Sequence, residues 1–442
     1  MIQEAKDGAD REPSEFPLGS ARPSKNDLKK RVVRLTSWAA AAAGGVVLLL
    51  FFLPKIFSDK QPADFRIDGS KLVITNKGGR ELWRYEANFA DLKNEEWYRL
   101  RFQNKSVVEE PSGGRRTLSR LLIRDMNRDG RNEVLYVPFR EEAQGSGRLV
   151  ILDSQGHAIW DLETGQETTV GNRVFAPDFT IRGIALVDLY KDGKPEILVI
   201  SHAWGEYPTR VLLLDLEKKV LGEYWNAGQI DDYVFADLNR DDVPEILLAG
   251  QNNEYDRPCL LALDVRRMIG VSPQTETFHF IGKEKGNEIY YLLFPPSPVD
   301  ELFRPGITVN KMDLLAGERF RILIHPSNVQ FELNYGLNFL TVTLSRSFER
   351  LYNDEFRAGR LKDPYDESRI WHNLAAGFRW YDSKTKSWSP TWAMSNPWPD
   401  PELGLLTTTR GRRYHHCVRG GISSEPCGPD LCAPRKRNLG RS

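Results

Sequence analysis

The sequence predicts an all-β fold, a β-propeller of roughly six or seven blades preceded by one transmembrane helix. Three observations predict it. An acid-rich loop running into a short apolar strand occurs three times. A second strand–turn–strand element follows each copy at a nearly constant distance. One unbroken apolar run sits near the N terminus.

The apolar run is "LTSWAAAAAGGVVLLLFFL", Leu35–Leu53, closed by Pro54. At 1.5 Å rise per residue it can cross a hydrocarbon core of about 30 Å. Lys25, Lys29, Lys30, Arg31 and Arg34 precede it, against Lys55 and Lys60 behind. The positive-inside rule then leaves the N terminus in the cytoplasm and exports the rest, to periplasm or cell surface. A cleaved signal peptide is the competing reading, but no A-x-A-like site follows in "PKIFSDKQPAD". Residues 1–34 read as a disordered cytoplasmic tail and 54–62 as a linker.

From 63 to about 405 the expectation is the propeller. "DMNRDGRNEVLYV", "DLYKDGKPEILVI" and "DLNRDDVPEILLA" start at Asp125, Asp188 and Asp237. Each is a nine-residue loop with Glu at its end, entering a strand. About 27 or 28 residues after each first Asp comes an Asp-led turn between strands, at Asp153, Asp215 and Asp264. "KLVITNKGGRELW" at 71–83 has the same shape and reads as a part-blade that closes a ring. The repeat is then roughly 50–60 residues, the span of a four-stranded blade. Beyond 275, "RFRILIHP", "VQFELNYGLNFLTVTLS" and "LAAGFRWYD" still alternate as strands. "SRSFERLYNDEFRAGRL" reads as a short helix or an extended excursion. The stretch is divergent blades or a small β-rich domain. Residues 406–442 lack periodicity and read as a disordered tail.

Composition excludes some classes. Apolar residues are 40% and charged residues 28%, so most of the chain folds. Lys+Arg and Asp+Glu are both 61, without the basic excess of a nucleic-acid binder. Four cysteines make no disulfide framework in 442 residues. Cys259 reads as a core residue. Cys417, Cys427 and Cys432, behind His415 and His416, lack standard zinc spacing. No G-x-S-x-G, H-E-x-x-H, phosphate loop or dinucleotide glycine set is present.

Calcium takes six to eight hard oxygens, which a short loop supplies from alternate positions plus a carbonyl. In the first loop those are Asp125, Asn127, Asp129, the Arg131 carbonyl and Glu133. Gly130 sits where the chain turns sharply. The second keeps Asp188, Asp192, the Lys194 carbonyl and Glu196, with Tyr190 at position three. The third has Asp237, Asn239, Asp241, the Val243 carbonyl and Glu245, with Asp242 at the turning position. Polar turns whose acids bond only loop amides are the alternative.

D-x-N-x-D-G-x-x-E opening onto "EVLYV" resembles the calcium loops of FG-GAP/VCBS repeats, as in integrin α-subunit propellers. Family loops mostly end in Asp; these end in Glu. The resemblance implies structural calcium. Trp83 in "GGRELWRYE" and Trp160 in "QGHAIWDLETG" follow turns as in PQQ-type propellers, where the indole wedges between blades; no quinone follows from that.

No catalytic residue is expected. His202 in "ISHAWGEYP" follows a strand and is placed to face a central channel; Asp231/Asp232 and Glu141/Glu142 are adjacent acids. Trp371, Trp380, Trp388, Trp392 and Trp398 are either core or an exposed stacking surface. The sequence thus predicts an anchored exported scaffold that binds a protein or glycan. The alternatives are an enzyme acting on polysaccharide and a sensor signalling through its helix.

Overall fold

Short strands buried on both sides need a sheet against each face, and the chain supplies those sheets in order. A computed structural model describes residues 59–87, 92–99, 119–139, 147–203, 207–275, 277–382 and 387–390. It also describes Gly205, Thr385 and two residue pairs near the C terminus. The chain divides into Met1–Lys60 and Gln61–Ser442, and every sheet belongs to the second unit. The apolar run 35–53 lies outside the described residues, among which no helix is long and apolar enough to cross a membrane.

The first sheet is β1 (Asp64–Asp68), β2 (Lys71–Thr75) and β3 (Glu81–Glu86). The second is the meander β4 (Leu121–Arg124), β5 (Glu133–Tyr136), β6 (Arg148–Leu152) and β7 (Ala158–Glu163). A hairpin, β8 (Thr168–Val170) and β9 (Arg173–Phe175), leads to the third. That sheet holds β10 (Phe179–Val187), β11 (Glu196–Ala203), β12 (Thr209–Leu214) and β13 (Val220–Asn226). The fourth begins with β14 (Ile230–Ala236), β15 (Glu245–Asn252) and β16 (Arg257–Leu263). β17 (Ile269–Val271) then returns to pair in parallel with β13. β18 (Tyr290–Leu293) resumes the fourth sheet. The fifth is β19 (Thr308–Leu315), β20 (Arg319–His325), β21 (Gln330–Asn334) and β22 (Phe339–Thr343). After two helices, β23 (Arg379–Asp382) and β24 (Ser387–Ser389) extend the fourth sheet beyond β18.

Period-two alternation assigns each face. In β5, Val134 and Tyr136 pack toward the first sheet, with Leu72 and Ile74, while Leu135 packs toward the third. In β11, Ile197 and Val199 join the second sheet's core, and Leu198 and Ile200 the fourth's. β15 repeats this: Ile246 and Leu248 face the third sheet, Leu247 and Ala249 the fifth. The sheets therefore stack face to face in chain order, as propeller blades do. Among the described residues there are five sheets of three or more strands. Their opening strands β1–β3 pair only with one another, and no pairing of theirs with β19–β22 is found there.

The core of the region past 275 is continuous with that of the fourth sheet. The helix Arg346–Arg357 starts where Ser345 Oγ accepts from Phe348 N, and it buries Phe348 and Tyr352. "LAAGFRWYD" departs from expectation. Leu374 to Ala376 close a helix, Glu367–Ala376, capped by Asp366, and only Arg379–Asp382 is strand. Ile370, Trp371 and Leu374 fall on one helical face toward the core, and that spacing overrides the strand-like alternation. Trp371 and Trp380 are buried, and Trp388 packs on Tyr255 and Tyr381, so these three are packing residues. Trp392, Trp398, Glu141, Glu142 and the Cys417–Cys432 region lie outside the described residues.

Candidate functional site

The three acid loops adopt one backbone. Positions four and six are left-handed in each: Arg128 and Gly130, Lys191 and Gly193, Arg240 and Asp242. Asp242 takes this conformation at φ 68°, as its substitution for Gly requires. The acids bond the loop's own amides. Asp125 Oδ2 accepts from Gly130 N at 3.0 Å, and Asp129 Oδ1 from Arg131 N at 2.8 Å. Asp188 accepts from Asp192 N and Gly193 N, and Asp192 from Lys194 N. Asp237 accepts from Asp241 N and Asp242 N, and Asp241 from Val243 N.

The closing Glu is the first residue of β5, β11 and β15, and it is buried each time. Glu133, Glu196 and Glu245 accept from the amides of Met126, Leu189 and Leu238 at 2.8, 2.9 and 2.8 Å. Asn127 and Asn239 donate to the other oxygen of Glu133 and Glu245. Burial holds all three carboxyls above the usual range, with the loop aspartates adding repulsion; Glu245 is pushed up to about 7.

The loops differ in the cations beside them. Arg128 of the first reaches Asp188 of the second at 3.2 Å. Arg266 reaches Asp241 of the third at 2.8 Å. Lys191 pairs with Asp242, and Arg240 with Glu318 at the β19–β20 turn. Neither Asp125 nor Asp129 has an ion pair among the described residues. No cluster of three or more His, Cys, Asp or Glu side chains arranged for a metal is found among those residues. The acids keep lone pairs beyond the amide bonds they accept. In the first loop, Asp125, Asn127, Asp129, Arg131 and Glu133 lie along one turn with no ion pair to Asp125 or Asp129 among the described residues. The other two already hold protein cations.

The tryptophans after turns link neighbouring sheets. Trp83 Nε1 donates to Ser154 O at 3.0 Å, and Trp160 Nε1 to Leu216 O at 2.7 Å, each in the next sheet's turn. Cys259 is buried in the core with its thiol pushed up to about 12 by burial.

The opposite end of the sheets carries a polar constellation that sequence reasoning missed. β10, β14 and β19, the first strands of three consecutive sheets, each have a bulge near their start. The register slips between Ile181 and Gly183, Ile230 and Asp232, and Val309 and Lys311. The extra residues are Arg182, Asp231 and Asn310, and bulges re-aim side chains in this way. The strands meet there. Ile184 N donates to Ser119 O at 2.9 Å, just before β4. Arg182 Nη2 donates to Asp231 Oδ1 at 3.0 Å. Thr308 Oγ1 donates to Asp231 Oδ2 at 2.7 Å, and Met312 N to Asp232 Oδ2 at 2.8 Å. Arg120 lies 4.5 Å over both Trp97 and Phe139 and donates to Arg182 O.

His202, in β11 opposite Thr180, belongs to this end. It is only 7% exposed. Its Nδ1 lies 3.1 Å from Ala203 O, which places the proton there and leaves Nε2 a lone-pair acceptor. Among the described residues Nε2 is buried without a hydrogen-bond partner, as is Ser119 Oγ. Burial, with the charges of Arg182 and Arg120, drives the imidazole down to about 3, so it is neutral at physiological pH. Asp231 and Asp232 turn to different partners and do not converge as an acid–base pair.

No family model matches the chain, and no curated protein matches it. Solved structures resemble it broadly. The Dos1 propeller is 11% identical over 62% of this chain and 64% of its own, with a TM-score of 0.32. The Swd1 β-propeller domain of Myceliophteria thermophila is 10% identical over 64% and 86%, TM-score 0.24. The V. cholerae biofilm matrix protein Bap1 is 15% identical over 59% and 43%, TM-score 0.22. The chain thus spans less than two thirds of the Dos1 propeller.

Proposed function

We propose that the chain is a membrane-anchored, extracytoplasmic binding scaffold of propeller type, holding a glycan at the bulged end of its sheets and braced by calcium at the other. One observation carries this reading. Three consecutive sheets place a bulge at the same point of their first strand, and the bulges gather buried polar side chains where the strands meet. A stack built only for stability gains nothing from that, since buried polar groups cost more than apolar ones. Scaffolds present such groups to ligands. Leu35–Leu53 would hold the chain in the bilayer, and the sheets would face a compartment where calcium is plentiful.

The first loop is the calcium site of this reading, through Asp125, Asn127, Asp129, the Arg131 carbonyl and Glu133. Its support is geometric: Asp125, Asp129 and Glu133 gather on one turn, where their like charges repel, and neither aspartate has an ion pair among the described residues. A bound cation would offset that repulsion and stabilise the loop. Loops two and three are assigned no metal, because Arg128 and Arg266 occupy that electrostatic role.

The test is binding of the full-length protein, in detergent micelles, to a printed array of neutral, uronic-acid and sialylated oligosaccharides. Saturable binding to a defined subset supports the scaffold reading. Uniform absence of binding removes the glycan from it.

A further inference from the structure

The three acid loops are joined head to tail, and the row begins where the chain enters the sheets. The residue at loop position four reaches forward each time. Arg128 of the first loop pairs with Asp188 of the second, Lys191 of the second with Asp242 of the third, and Arg240 of the third with Glu318. The fit is close at the second loop, where a Cβ on Gly193 would collide with the Arg128 guanidinium. No acid loop precedes the first in the sequence. Gln61 takes the corresponding place there: its Nε2 donates to Gly130 O, and its Oε1 accepts from Asn132 N at 3.0 Å. Asn132 Nδ2 completes the contact, donating to Pro62 O at 2.8 Å.

Position eight allows this contact in the first loop alone. It is Asn132 there, and Pro195 and Pro244 in the others. Proline has no N–H to donate. The Asn132 N–H belongs to the Arg131–Asn132 peptide, whose carbonyl points the opposite way in a trans unit. The Gln61 amide thus holds two consecutive peptide planes, the first by its carbonyl and the second by its N–H. Within the loop, Asp125 accepts from Gly130 N and Asp129 from Arg131 N. The same turn is held by its own acids and by the entering chain.

We propose that Gln61 and Pro62 form a strap by which the entering chain sets the conformation of the first acid loop, the place that the preceding loop's cation fills for the second and third. A pull on the chain ahead of Gln61, or a cut there, is passed to the Gly130–Asn132 turn before it reaches β1. Glycan and calcium play no part in the strap, which stands whether or not either binds.

Hydrogen exchange read by mass spectrometry tests it on the full-length protein in detergent micelles, without added metal or sugar. Gln61→Ala removes the two-point contact. Asn132→Pro removes the N–H and the side-chain donor while keeping a residue that the other two loops carry at that position. Urea midpoints show that each variant folds. In Gln61→Ala the peptide covering 126–133 is expected to gain more than one amide's worth of exchange, with Gly130 and Arg131 exchanging about fivefold faster, the worth of one hydrogen bond. Asn132→Pro should free the same two amides, although neither donates to Gln61. Peptides covering 188–196 and 237–245 should exchange as in the wild type. If Gln61→Ala fails to fold, Asn132→Pro decides alone. A gain confined to the Asn132 amide in Gln61→Ala, with none in Asn132→Pro, overturns the strap, since Gln61 then only covers one N–H. Equal gains in all three loops overturn it as well, because they mark a general loosening.

Discussion

Gly156 is the residue on which the contact between the first two sheets turns. It sits at φ 90° in the β6–β7 turn, and a Cβ there would lie 2.6 Å from the Trp83 ring. The indole therefore covers the turn and reaches Ser154 O. Gly156→Ala is expected to cost about 1–3 kcal/mol through overpacking, with left-handed strain in addition; chemical denaturation measures it. Trp83 and Trp160 were legible from their position after a turn. What each touches was not, because the partner carbonyls are 71 and 56 residues away.

A second residue-scale prediction concerns Glu288, buried before β18 with Tyr224 Oη donating to it at 2.5 Å. Burial pushes this carboxyl up to about 7. Its folded-state pKa exceeds its unfolded one, so the folded chain binds the extra proton. The resulting stability is full below the unfolded pKa and is lost as pH rises through about 7. The loss is on the order of 3 kcal/mol across that window. Glu288→Gln should flatten this part of the stability–pH curve in urea titrations between pH 4 and 8. An unchanged slope would show that the carboxyl is ionised in its pocket.

At the scale of elements, the acid loops were the most legible part of the sequence, because one nine-residue spacing produced one backbone three times. Sequence distinguished them only by the ligand positions each keeps, the first most completely and the second least. The cations that distinguish them, Arg128 at Asp188 and Arg266 at Asp241, come from another loop and from the turn after β16. Millimolar calcium should raise the melting temperature of the full-length protein relative to EDTA. Asp125→Ala combined with Asp129→Ala should abolish the shift, and Asp237→Ala with Asp241→Ala should preserve it. Loss of the shift only in the second pair would move the metal to loop three.

The bulges were missed because their residues share no type: Arg, Asp and Asn. Their signal was a slip in apolar phase. In "FTIRGIALV" the core-facing positions pass from Phe179 and Ile181 to Ile184 and Leu186, and in "TVNKMDLL" from Val309 to Met312. The helix Glu367–Ala376 was missed for the opposite reason, since its short apolar run fits either period.

For the whole molecule, chain-ordered stacking followed from strands that run apolar without alternation after their leading Glu, as in "EILVI" and "EILLA", which only a two-sided burial explains. The return of β23 and β24 to the fourth sheet did not, since pairing Tyr291 with Tyr381 spans a complete intervening sheet. That detour makes the fourth and fifth sheets one cooperative block. Removing residues 379–442 should expose β18 as a bare edge and promote aggregation, which light scattering would detect. A truncated chain that stays monodisperse would show the outer strands to be dispensable.

The two ends of the stack have separate tasks in this account, and hydrogen exchange of the full-length protein tests that division most directly. Exchange is measured with and without the oligosaccharide that binds best on the array. Added protection should fall on the bulged end, at residues 179–184, 200–203, 230–234 and 308–312, and leave the acid loops unchanged. Protection at the acid loops or along the outer strands β13 and β17, with none at the bulges, would contradict it.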